Sequence, residues 1–276
     1  MGVFYAALAA VFAGTGDFLG GLASRRANTW AVGTWNHIAG AVTVLVIAPF
    51  LDGQLTAELI WWGSLAGIGG AVGVMGLYTG FTRSDVAVVS PIAAVGAATW
   101  PVIWSIVTGD FPSGLVVVGI ITGLAAIWLV SGGSRRVLAG DREGLRFGLI
   151  AGLGFGAQLI FFSFTSDGSN IWSLLPARIA GGLLIAFVAI LLGKSLRLPR
   201  EAQAPGIAAG ALTAIGNGFF IIAAGLESLA VATVVAAMFP ATTVLLARLF
   251  FHERLTARRL VGLGLALLAV ALVSVG

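Results

Sequence analysis

The chain has 276 residues, of which 59% are hydrophobic and only 9% charged, and its mean hydropathy is +1.05. A water-soluble domain needs more charge than this to cover its surface, whereas lipid can solvate an apolar exterior; the composition therefore excludes an ordinary soluble domain. It also excludes a disulfide frame or thiolate metal site, since there is no cysteine, and the pI near 10.6 does not point to nucleic acid because the cations form short clusters at the ends of apolar runs, with no aromatic-interleaved stripe.

An apolar helix of about 20 residues crosses the hydrocarbon core. In chain order, such runs fall at 3–22, 31–51, 60–81, 86–107, 113–131, 145–165, 171–193, 204–225, 229–251 and 257–275, which predicts an all-α integral membrane protein of ten transmembrane helices. Helix is the expected state because open strands leave backbone polar groups unpaired in lipid, and these runs lack the alternation of barrel strands. The first run has no basic residues before it and no small-residue cleavage site after it, so it reads as a retained span. The connections are short, and the longest, around 132–144, falls at the midpoint.

That midpoint separates two similar halves, 1–136 and 137–276, each holding five spans within one membrane domain. Asn36-His37-Ile38-Ala39-Gly40 in the second span matches Ala177-Arg178-Ile179-Ala180-Gly181 in the seventh. Ala87-Val88 matches Ala230-Val231, and Val118-Gly119 matches Val261-Gly262. Five is an odd number, so the second half must be inverted relative to the first, giving two inverted five-helix repeats. The charges agree. Arg25 and Arg26 follow span 1, while only Asp167 follows span 6; Asp52 and Glu58 follow span 2, while Lys194, Arg197 and Arg200 follow span 7. The gaps after spans 2, 4, 6 and 8 carry no Lys or Arg. By the positive-inside rule the arginine-bearing gaps face the cytoplasm and both termini lie outside.

Small residues recur at four-residue spacing, as in Gly16/Gly20, Gly69/Gly73 and the ladder Gly144/Gly148/Gly152/Gly156. This makes flat helix faces, for static packing or for sliding. Gly152-x-Gly154-x-Gly156 does not complete a dinucleotide fingerprint and follows no strand. Pro91, Pro101 and Pro240 fall in the equivalent spans 4 and 9, where proline kinks a helix.

Polar groups deep in a span are expensive and usually face a cavity or a partner. Asp17 and His37 sit toward the same end of spans 1 and 2 and are candidates for proton coupling, or for a fixed structural hydrogen bond. Arg178, the counterpart of His37, and Gln158, the counterpart of Asp17, lie in spans 7 and 6. An Arg there binds a carboxylate bidentately or clamps a helix end; in a cavity it argues for anionic or zwitterionic solutes. Asn217 lies in mid-span 8 between Gly216 and Gly218, and Thr242 and Thr243 follow Pro240, where they could cap freed carbonyls. Asn36 and Tyr78 are further polar candidates. Trp100 and Trp104 share a face of span 4; with Trp35 they would line a cavity suited to flat apolar solutes or cations, or else pack against lipid. Trp30, Trp61, Trp62 and Trp172 fall at span ends and belong to the interfacial belt.

In its ten spans, its paired halves, Ala180-Gly181 after Arg178, and Phe251-His252-Glu253-Arg254-Leu255-Thr256 followed by Val261-Gly262, the chain resembles EamA-type members of the drug/metabolite transporter superfamily. It departs from the family pattern at His37, where Arg is favoured, at Asp110-Phe111-Pro112, which replaces the Glu-Arg-Leu turn, and at Gly14-Thr15-Gly16-Asp17 in the first span. The resemblance implies a secondary transporter that exports or exchanges small metabolites, amino acids or drugs through a central cavity, without an ATP-hydrolysing module. It also implies cytoplasmic termini, against the one-sided charge pattern.

The expected function is alternating-access transport, with Trp35, Tyr78, Trp100, Trp104, Gln158, Arg178, Asn217 and Thr242 as substrate-binding candidates. Spans 1 to 4 and 6 to 9 would line the cavity. No metal and no cofactor is expected, and the partners are a small solute and membrane lipid, with the chain a monomer or homodimer. Uptake of a quaternary-ammonium solute is the nearest alternative. A membrane-embedded lipid-modifying enzyme lacks a catalytic cluster, because Asp17 is the one deep acid and the chain has only 2 His.

Overall fold

The computed structural model describes residues 1–84, 86–109, 111–130, 141–165 and 170–251, with isolated positions beyond. The helices are α1 (Gly2–Ser24), α2 (Thr29–Ile47), α3 (Ala57–Arg83), α4 (Val86–Val107), α5 (Gly114–Val130), α6 (Arg142–Ser163), α7 (Leu174–Leu191), α8 (Arg200–Leu226), α9 (Leu229–Ala236) and α10 (Phe239–Phe251). Short 3₁₀ turns extend α2 (Ala48–Phe50) and precede α7 (Ile171–Ser173). No strand occurs among the described residues.

Six of these segments are long and apolar enough to cross a bilayer: α1, α2 with its 3₁₀ turn, α3, α6, α7 with its 3₁₀ turn, and α8. The apolar stretches in α4, α5 and α9–α10 are shorter. The predicted span 257–275 lies largely outside the described residues, and its described positions are helical. Asp110, Asp167 and His252 to Thr256, used in the sequence argument, also lie outside the described residues, as does the side chain of Arg248.

Polar side chains start the helices where the sequence leaves backbone amides unpaired. Asn28 accepts from the Trp30 amide (3.0 Å), Thr56 from Leu59 (3.3 Å), Asp141 from Gly144 (2.8 Å) and Ser228 from Val231 (3.4 Å). Asn170 caps the turn before α7 through the Trp172 amide (3.1 Å). At the other end of α7, Gly193 takes φ +61°, which lets the Lys194 amide reach back to the Ala189 carbonyl at 2.8 Å.

The prolines behave differently from one another. α4 continues through Pro91 and Pro101 as one helix, whereas the ninth predicted span breaks at Ala237-Met238. Pro240 then falls in the first turn of α10, where a missing amide costs nothing. Thr243 donates to the Phe239 carbonyl (3.2 Å) and to the Gly14 carbonyl of α1 (3.1 Å), tying the break to the first helix.

Helices adjacent in sequence are not the main packing partners. α1 lies along α8 and against α9–α10, α2 against α7 and α8, α3 against α6 and α7, and α4 against α6. Glycine makes these approaches possible. In the α4–α6 seam, a Cβ on Gly152 would stand 2.9 Å from the Gly96 Cα. Where α2 crosses α7, a Cβ on Gly40 would stand 2.8 Å from Arg178 Cδ, and one on Gly181 would stand 2.5 Å from His37 Nε2. Large apolar side chains point outward instead, including Leu183, Phe187, Ile190 and Leu191 of α7 and Val118 and Ile121 of α5. Buried Asp17, Asn36, His37, Arg178 and Thr213 face inward. Apolar outside and polar inside is the arrangement that lipid, not water, stabilises.

Candidate functional site: a central charged cavity

The inward polar groups converge on a cavity of about 700 Å³, counting its open side. α1, α2, α3, α4, α6, α7, α8, α9 and α10 all contribute to its wall, and α5 does not. Its polar lining is Asp17, His37, Gln158, Arg178, Thr213 and Asn217. Its apolar lining includes Val74, Phe155, Leu159, Phe220 and Phe239.

Arg178 organises the polar side. Its Nη1 donates to Asn36 Oδ1 and to Thr213 Oγ1, both at 3.3 Å. The amide of Asn36 donates in turn to the Tyr78 hydroxyl at 3.3 Å, and Thr213 donates to the Gly210 carbonyl at 3.2 Å. α2, α3, α7 and α8 are thereby linked through one guanidinium. Hydrogen bonds to a charged group contribute about 1.5–3 kcal/mol each, and here they hold the side chain in one pose. Its other terminal nitrogen, Nη2, is buried and has no hydrogen-bond partner. Only 5% of Arg178 is exposed.

Asp17 is 6% exposed and also lines the cavity. Among the described residues it forms no ion pair with Arg178; the one ion pair, Arg83–Glu143 at 3.4 Å, lies at the surface. His37 Nδ1 donates to the Gly33 carbonyl at 3.0 Å, so Nε2 is the ring nitrogen left toward Gly181. No hydrogen bond joins His37 to Asp17 among the described residues.

Of the candidates named from sequence, Asp17, His37, Gln158, Arg178 and Asn217 come together on the cavity wall. Tyr78 is fully buried behind it, holding Asn36. Trp35 donates from Nε1 to the Leu196 carbonyl at 3.0 Å, and Thr242 packs beside Gly14. Neither lines the cavity. Trp100 and Trp104 are 44% and 38% exposed on the outer face of α4, with the Trp104 ring edge-on to Phe164. The cavity therefore lacks tryptophan faces, and its aromatic lining is phenylalanine. Sequence reasoning named Asp17 and Arg178 on separate spans, and the structure lines one cavity with both. It missed Thr213, whose signal was its position four residues before Asn217, on the same face of α8.

A helical chain with six apolar helices long enough to cross a bilayer, an apolar exterior and a polar-lined cavity has the build of a multi-pass membrane protein. Residues 142–275 match the model of the EamA-like transporter family. The match covers just under half of the chain, and the matched family is part of the drug/metabolite transporter superfamily, whose members are transporters and not enzymes. A solved structure described only as "crystal structure of protein" has a similar fold, with a TM-score of 0.71 at 13% identity over 96% of this chain and 98% of its own. No curated protein matches the sequence.

Proposed function

We propose that this chain is a secondary transporter that moves small organic solutes, in the export direction its family resemblance implies, by alternating access through the central cavity. The observation that carries the reading is the cavity itself: charged and amide side chains from both halves of the chain converge on one partly open space within the bundle. Alternating access needs two units that can rock about a fixed site. The packing supports two such units, 1–136 and 137–276, as inverted five-helix repeats of a ten-helix bundle. Exchanging the halves turns the α1–α8 pair into α6–α3, the α2–α8 pair into α7–α3, and the α4–α6 pair into α9/α10–α1. The α2–α7 pair maps onto itself, and there Gly40 makes room for Arg178 while Gly181 makes room for His37. Gly67 likewise lies on the Ala177 carbonyl, and Gly210 on the Asn36 carbonyl.

The test is counterflow in proteoliposomes with a panel of metabolites, amino acids and drugs. Flux should occur for at least one solute and fall in Asp17→Asn and Asn217→Ala. Unchanged flux in both variants removes the cavity from the pathway, and no flux of any class removes the transport reading. For sidedness, the natural absence of cysteine gives labelling without background. Ser195→Cys, in an arginine-bearing gap, should react with an impermeant maleimide only after cells are opened, and Gln54→Cys should react in intact cells. The reverse pattern would overturn the orientation read from charge.

A further inference from the structure

Trp35, which the cavity does not use, has another partner. Its indole Nε1 donates to the Leu196 carbonyl at 3.0 Å, in the loop between α7 and α8. That loop is held along its length. Gly193 takes φ +61° as the chain leaves α7. The Arg197 amide donates to Ser195 Oγ at 3.2 Å, and Gln203 Nε2 donates to the Leu198 carbonyl, also at 3.2 Å. The Leu198 side chain is buried beside Gly206 of α8. The loop between α1 and α2 lies next to it, since Arg26 Nη1 reaches the Glu201 carbonyl at 3.5 Å. Together the two loops carry Arg25, Arg26, Lys194, Arg197 and Arg200, all exposed, against the single acid Glu201. Their surplus equals the formal net charge of the whole chain, +4. Among the described residues none of the five cations forms an ion pair.

We infer that these two loops form a binding site for the phosphate headgroup of an anionic phospholipid, which neutralises the cations and bridges the α1–α2 loop to the α7–α8 loop. The inference goes beyond the transport reading and does not depend on it. Three observations carry it. First, the cations are pre-positioned. Charges needed only to orient helices in a membrane can sit on any loop. Here an indole, an amide and a buried leucine hold the backbone that bears them, so little ordering is left for a ligand to impose. Second, the site continues into lipid. Phe187, Ile190, Leu191 and Leu192 are exposed apolar residues that lead directly to Lys194, so an acyl chain lying along α7 brings its headgroup to the cations. A free phosphate would meet the same guanidinium groups without using that apolar column. Third, a similar tether at the other end of α7 carries no such charge. Asn170 Nδ2 donates to the Gln54 carbonyl at 3.1 Å, and residues 49–60 and 165–175 contain Asp52 and Glu58 but no Lys or Arg. Tethering a loop therefore does not itself require cations.

The experiment uses the purified full-length protein in an uncharged detergent. It is titrated with dioleoylphosphatidylglycerol, with dioleoylphosphatidylcholine, which has the same chains and no net charge, and with inorganic phosphate at about 10 mM, and Tm is read together with the lipid retained in native mass spectrometry. Phosphatidylglycerol should raise Tm and be retained, and the other two should do neither. Arg25→Gln/Arg197→Gln should weaken phosphatidylglycerol about 25-fold, at about fivefold per cation, whereas Arg142→Gln/Arg146→Gln, which takes the same charge from the exposed start of α6, should change it less than about twofold. Trp35→Phe keeps an aromatic ring but removes the bond to Leu196, and should lower phosphatidylglycerol affinity while leaving phosphatidylcholine unchanged. The comparison of lipids in the unmodified protein requires no variant to fold. Equal retention of the two lipids overturns the inference. A shift with inorganic phosphate as large as that with phosphatidylglycerol overturns the lipid and leaves an anion site. Equal losses in the two double variants reduce the effect to general attraction by a basic surface and overturn the site.

Discussion

Gly181 offers the sharpest test of the packing. It sits where α7 crosses both α2 and α3, and a Cβ there would stand 2.5 Å from His37 Nε2 and 2.6 Å from the Gly67 carbonyl oxygen. Neither neighbour is the end of a flexible chain: the imidazole is pinned through Nδ1 to Gly33, and the carbonyl is helix backbone. Restoring ordinary contact at 3.4 Å would require α7 to retreat by roughly 0.8 Å from α3. Overpacking of this kind costs about 1–3 kcal/mol. Gly218→Ala is the control, because its Cβ would meet Leu174 Cδ1 at 3.7 Å, an ordinary contact. Both sites are helical, so the propensity gain of Ala over Gly, about 1 kcal/mol, cancels in the comparison. The two variants should therefore differ by about 1–3 kcal/mol, which at ~2–4 °C per kcal/mol is about 2–12 °C in Tm. Thermal unfolding in one detergent measures this difference. If Gly181→Ala unfolds at or above the temperature of Gly218→Ala, the α2–α3–α7 crossing is not as close as described.

Three further outcomes follow from named contacts. Thr213→Val removes one of the two acceptors on Arg178 Nη1 and should cost about 1.5–3 kcal/mol in thermal unfolding, with Thr213→Ser recovering most of the loss. Asp141→Ala removes the cap that accepts from Gly144 and the partner of the Ser84 hydroxyl, and should cost about 0.5–2 kcal/mol, whereas Glu143→Gln, in a solvent-exposed pair with Arg83, should change stability by less than about 1 kcal/mol. Asn170→Ala breaks the cap on the turn before α7 and the 3.1 Å bond to the Gln54 carbonyl; a loss of about 1–2 kcal/mol with solute affinity unchanged is expected from paired unfolding and binding measurements.

Much of this molecule could be read from one dimension because lipid imposes a simple rule on it. Each apolar run must satisfy its own backbone, so run length gives helices directly, and the described helices fall where the runs do. The membrane class followed from the same signal, and the family resemblance rested on the paired halves and on motifs such as Ala180-Gly181 after Arg178. The polar residues inside the runs were equally visible, since each is an exception to an apolar background: Asp17, His37, Gln158, Arg178 and Asn217 stood out for that reason and meet at the cavity. Face, however, cannot be read from a run that is apolar all round. Trp100 and Trp104 have the spacing of a cavity lining, yet α4 offers Ala97 to the cavity, while the partly exposed Trp100 packs on Gly156 of α6 and Trp104 stands edge-on to Phe164. Thr213 looked ordinary until the Arg178 guanidinium arrived from a helix 35 residues away. Periodicity and hydropathy are local quantities fixed by solvent. Which charges share a cavity depends on how rigid helices from distant parts of the chain cross, and those crossings are set by where two backbones can touch.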